Sequence, residues 1–212
     1  MPQNTKINYC TTEYLQLPIL FSILYATKNN HMKKTLIGSL VGAVILFLWQ
    51  FLSWTMVQLH RPAEAYTPKQ DSILQYLGTQ FSEDGSYFLP TAPDGASKEE
   101  QEKLYETMDG KPWAQIHYHK SMDMNMGMNM ARGFAINIVI LLLVCWLFKK
   151  MGTPPFMTIL SASIAIGLIG FFNGPYTNHI WFQTRDLNAH LIDAIAGWGL
   201  TGLWLGWWLR RP

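Results

Sequence analysis

The chain has 212 residues, 49% of them hydrophobic and 14% charged, with a formal net charge of +2. An ordinary soluble domain carries roughly 25% charged residues, so the composition points to the bilayer. The net charge says nothing about nucleic acid, no basic run is long enough to suggest it, and no nucleic-acid partner is expected. Only Cys10, in the N-terminal tail, and Cys145, inside an apolar run, are available, which excludes a disulfide framework.

Residues 1–34 form an N-terminal tail. Its stretch LQLPILFSILYA (Leu15 to Ala26) is apolar but too short to cross a membrane, and Pro18 interrupts it. It reads as an interfacial segment, or as an upstream extension of a chain whose translation starts at Met32. The first apolar block, residues 35–57, is long enough to span. Met32-Lys33-Lys34 and Ala63-Glu64-Ala65 imitate a signal peptide and its cleavage site. The apolar run, however, exceeds an h-region of 7–15 residues and is interrupted by Gln50, so it is read as a retained helix.

Residues 58–130 turn acidic, with eleven carboxylates against six Lys or Arg. Aromatics such as Tyr66, Phe81, Tyr87 and Trp113 argue against disorder. A short helix is expected over Asp71 to Gln80. Ser97 opens S-K-E-E, a capping box with Glu100, ahead of a second helix to Met108. The flanking stretches SYFLP and PWAQIHYH suggest a two-stranded ribbon. The result is a small α+β cap whose core is too small to stand without the helices.

The cap ends in HYHKSMDMNMGMNMARG, His117 to Gly133, where methionines stand at 122, 124, 126, 128 and 130. Thioethers and imidazoles suit copper. On an extended stretch His117 and His119 point to one side. A helix starting near Asp123 splits the ladder, because residues two apart then diverge by about 200°. His117, His119, Met122 and Met126 remain as the candidate metal set.

Three further blocks come at residues 131–148, 155–172 and 187–209, each helical if it spans, because lipid offers backbone groups no other partners. Lys33-Lys34, Lys149-Lys150 and Arg210-Arg211 all fall on the cytoplasmic side if both termini are inside. The expected fold is therefore an all-α membrane protein. It has four transmembrane helices, N-in and C-in, with a small extracytoplasmic α+β insert between helices 1 and 2. The address is the inner (plasma) membrane, multi-pass, with residues 58–130 and the loop 173–186 outside.

Small residues recur at helical spacing: Gly38 and Gly42, then Ser163, Gly167, Gly170 and Gly174, then Gly202 and Gly206. Such seams let helices approach closely. Packing within the chain is the expectation, and a homo-oligomer through Gly202 and Gly206 is the lesser option. Gln50, Asn137 and Asp193 fall within about 7–11 Å of the outer boundary at 1.5 Å per residue, with Arg132, Asn173 and His190 nearer the surface. Together these six are the candidates for an outward-facing polar pocket. Asp193 is either functional or paired with Arg132 or Asn137 to lock the helices.

The W-F-x-T-R-D stretch from Trp181 to Asp186, with I-D-A-I-A-G-W-G-L-T-G-L-W-L-G-W-W after it, resembles the last helix of small bacterial four-helix inner-membrane proteins catalogued as a domain of unknown function. G-S-L-V-G-A-V-I-L-F-L-W-Q, from Gly38 to Gln50, is similar to their opening helix. The resemblance covers the two outer helices, while the acidic insert and the methionine ladder depart from it. It implies architecture and an inner-membrane address, and no activity.

His190 and Asp193 share a helix face suited to acid–base work, but no nucleophile motif, P-loop, H-E-x-x-H or dinucleotide fingerprint accompanies them. No catalytic residue is assigned. The expected function is a non-enzymatic scaffold or accessory protein with an outward-facing polar pocket, working in the lipid bilayer without a cofactor. The alternatives are extracytoplasmic copper handling and small-solute transport.

Overall fold

A computed structural model describes residues 16–152 and 154–211, with side chains from Met32 onward. Cys10 and Leu15 lie outside the described residues. Helix α1 runs unbroken from Gln16 to Phe51. Pro18 falls in its first turn, where a missing N–H leaves no bond unmade, so the proline opens the helix instead of interrupting it. The expected break in segment 15–26 is thereby corrected. A wide π turn, Leu52–Met56, ends the first apolar stretch.

Three helical stretches are long and apolar enough to cross a membrane: Met32–Met56, Met126–Lys150 and Phe156–Phe182. No more than 28% of each is buried by the rest of the chain. Their outer faces carry exposed Leu36, Leu40, Val139, Leu143 and Ile169, side chains that suit lipid. The second stretch is α4, Met126–Lys150, which starts ahead of the expected Ala131 because the Asn125 side chain accepts from Met128 N at 3.0 Å and caps it. The third runs past its expected end at Phe172. Helix α5, Phe156–Phe171, passes through a π turn at Phe172–Tyr176 into α6, Thr177–Phe182. Pro175 sits in that wide turn, and the Thr177 hydroxyl donates to the Phe172 carbonyl at 2.8 Å, giving that group a partner at the end of the turn. Residues expected in an outer loop are therefore largely helical.

Helix α7, Leu187–Trp208, is the fourth long helix. It is not among the three apolar stretches, and Asn188, His190 and Asp193 lower its hydropathy. The four adjoin in the order α4–α1–α7–α5 and share a core of Leu46, Leu141, Val144, Ile159 and Leu205. Trp204 Nε1 donates to the Gly38 carbonyl at 3.0 Å and Trp208 Nε1 to the Lys34 carbonyl at 2.8 Å, which sets α1 and α7 antiparallel. The Lys34 ammonium donates to the Arg211 carbonyl, and the Arg211 guanidinium lies 3.4 Å from the Trp207 ring centroid. The seam residues Gly202 and Gly206 are buried against Ser163 and Phe156 of the same chain, as packing within the chain requires, while Gly170 and Gly174 face open space.

Between α1 and α4 lie α2 (Gln70–Gln80), β1 (Gly85–Leu89), α3 (Lys98–Met108) and β2 (Ala114–Tyr118). The strands pair antiparallel, from Gly85 opposite Tyr118 to Leu89 opposite Ala114, forming the expected ribbon. The Ser97–Glu100 capping box starts α3, as its sequence pattern indicates. No residue of α2 or α3 is buried, so ribbon aromatics hold this segment together. Phe81 stacks on Tyr87 at 3.9 Å, and Phe88 meets Phe182 of α6 edge-on at 6.2 Å.

Candidate functional site

The strongest polar cluster sits where α1 ends and α7 begins. After the π turn, Gln58 takes a left-handed conformation (φ +54°), and Leu59 N donates back to the Ser53 carbonyl at 3.0 Å. That turn reverses the chain and returns His60 to the helices, where it is 1% exposed. The Trp54 ring stacks flat on the imidazole at 4.0 Å and closes one face.

On the other side, Gln183 (φ +49°) ends α6 and starts the short link to Asp186, the residue capping α7. The Asp186 side chain does not cap its own helix. It turns to histidines instead, with Oδ2 at 2.9 Å from His60 Nδ1 and 3.2 Å from His190 Nε2. Asp193 accepts at both oxygens: Oδ2 lies 2.9 Å from His60 Nε2, and Trp49 Nε1 donates to Oδ1 at 3.0 Å. Asp186, His190 and Asp193 stand four and three residues apart, so one face of α7 carries all three.

Both nitrogens of His60 thus face carboxylates. A neutral imidazole has one N–H, so a single neutral ring would leave a lone pair pointing at an oxygen lone pair. The site is completed by a second proton, on the ring or on a carboxyl, or by a metal ion. Burial by itself lowers the basicity of His60, but the Asp186 and Asp193 hydrogen bonds and charges outweigh it and hold the group above its ordinary value. Burial works against ionisation of Asp186, and the His60 hydrogen bond followed by the His190 charge overcomes it, leaving that carboxyl below its ordinary value.

The six expected pocket residues therefore divide. His190 and Asp193 belong to the cluster. Gln50 and Asn137 pair with each other, Asn137 Nδ2 donating to Gln50 Oε1 at 2.8 Å. Arg132 and Asn173 are exposed and join neither group. The expected Asp193–Arg132 or Asp193–Asn137 pairing does not form, because Trp49 and His60 reach the carboxylate first. His60 and Asp186 were not legible as candidates. His60 comes after the apolar block in a stretch without a turn signature, and Asp186 stood in an expected loop.

The expected copper residues lie elsewhere. His117, His119 and Met122 line one open hollow beneath α2, and Met126 does not. His117 Nδ1 is 2.8 Å from Ser86 Oγ, and His119 is 3.5 Å from Asp84. Met122 is 81% exposed, leaving its thioether without a shaped site. Among the described residues, the His/Asp cluster that brings three potential metal ligands within 4.8 Å of one another is His60, Asp186 and His190. No protein-family model matches the chain, and no curated protein or solved structure matches it.

Proposed function

We propose that the chain is a multi-pass membrane protein of accessory kind, in which the His60 cluster fastens an extracytoplasmic platform to the outer end of the helices. The bilayer is crossed four times, α7 included, with the Lys and Arg pairs at the cytoplasmic end and residues 58–130 outside. Two features support the fourth crossing. Helix α7 packs between α1 and α5, and its one acidic residue, Asp193, is partnered near its outer end together with the capping Asp186, where charge in a membrane costs least.

The observation that carries the accessory reading is the inward closure of the cluster. Among the described residues, the hydrogen bonds of His60 run only to Asp186 and Asp193, and no hydroxyl or thiol is hydrogen-bonded to it as a nucleophile would be. The two carboxylates are spent on holding the chain reversal at Gln58 against α7. The ribbon meets α6 through Phe88 and Phe182, so the outer segment is tied down at a second point.

His60→Phe tests this, since it retains the stacking volume against Trp54 while deleting both hydrogen bonds. Buried Asp186 and half-buried Asp193 then each lose one partner, keeping only His190 and Trp49 respectively, at a cost of about 3 kcal/mol. Amide exchange across residues 57–64 is expected to rise by about tenfold or more while the rest of the helix core stays protected. Unchanged exchange there would defeat the fastening reading.

A further inference from the structure

We propose that His60 Nδ1, Asp186 Oδ2 and His190 Nε2 bind one divalent first-row transition-metal ion, with zinc as the reference occupant. The proposal rests on the fastening role of this cluster and names its ligand. The three atoms converge within 4.8 Å of one another, close enough to share an ion after small side-chain adjustments. Two imidazoles and one carboxylate form a donor set that suits zinc or iron(II). It lacks the thioethers or thiolates that Cu(I) prefers and the all-oxygen shell of calcium or magnesium.

The surroundings match what a metal-binding histidine needs. A ligating imidazole usually donates its other ring N–H to a carboxylate, which fixes the tautomer and the ring plane. His60 Nε2 meets Asp193 Oδ2 at 2.9 Å, and Asp193 is itself held by the Trp49 indole at 3.0 Å. With the proton kept at Nε2, the Nδ1 lone pair faces the shared oxygen of Asp186, an arrangement that a metal ion between them relieves. Trp54 shields one face of the ring. The His190 side chain is 31% exposed, which leaves a path from outside and room for water at the remaining coordination positions.

The test uses the full-length, tag-free protein in detergent, stripped with a chelator that is then removed. Zinc is titrated by calorimetry, and cobalt(II) serves as a spectroscopic probe of nitrogen and oxygen ligation. One zinc per chain is expected. His190→Ala, at a partly exposed position that should not disturb folding, is expected to weaken binding by about 100-fold. Asp193→Asn is expected to weaken it by about 10–100-fold, because its amide would donate to Nε2 and move the ring proton to Nδ1. A His117→Ala/His119→Ala double variant should bind like the parent. Absence of zinc binding by the parent overturns the metal site, as does binding that survives His190→Ala and is lost in the double variant. Either result leaves the His60→Phe exchange test standing, so failure of the metal site and failure of the fastening are read separately.

Discussion

Asn137 is 3% exposed, and its amide donates to Gln50 from a helix whose buried neighbours are mostly apolar. In an apolar setting each of these amides has few other partners, so losing one strands the other. Asn137→Ala is expected to destabilise the protein by about 0.5–2 kcal/mol in reversible unfolding. Replacing both residues with leucine should recover part of that loss, and a fully additive double variant would show that the pair does not interact. Polar atoms within an apolar run stand out in one dimension, which is why Gln50, Asn137, His190 and Asp193 were all legible. His60 had no such contrast. Its burial depends on Gln58 adopting a left-handed turn without the glycine that usually announces one. Asp186 was hidden differently: its spacing to His190 and Asp193 matches the helix period, but this shows only once α7 is known to start beside it.

At the scale of elements, α5 and α7 meet through small residues whose spacing was readable and whose partners were not. A methyl group added at Gly167 would sit 2.5 Å from the Ala194 carbonyl oxygen. Backbone cannot rotate away as a side chain can, so the helices must separate. Gly170 has nothing within 4 Å of the same probe position. Gly167→Ala is therefore expected to cost about 1–3 kcal/mol. Gly170→Ala should be neutral or slightly stabilising, because alanine favours a helix over glycine. Equal effects at the two sites in a thermal or denaturant series would count against this packing. The four-residue rhythm suggested all of Ser163, Gly167, Gly170 and Gly174 as one seam. Only the position of α7 decides which of them are covered. The π turn at Phe172–Tyr176 breaks the helical period, and Gly174, inside that turn, falls outside the contact.

The whole molecule is polarised along its long axis. Lys34 and Arg211 adjoin at one end, and the acidic ribbon segment lies beyond the other. In a background lacking Cys10 and Cys145, a cysteine at Lys103 should react with a membrane-impermeant reagent added to spheroplasts. Cysteines at Met151 and Arg210 should react only after lysis. Labelling of the Arg210 position from outside would remove α7 from the set of crossing helices. Composition and the length of the apolar blocks were enough to establish a helical chain with stretches fit for a bilayer, because backbone in lipid has so few ways to satisfy itself. Local signals were also enough for the ribbon and for the capped start of α3, since strand alternation and a capping box act over a few residues. The His60 cluster was decided by tertiary structure alone. It joins a residue after α1 to two on α7, more than a hundred positions away, and no periodicity in one dimension records which buried carboxylate a returning imidazole will meet.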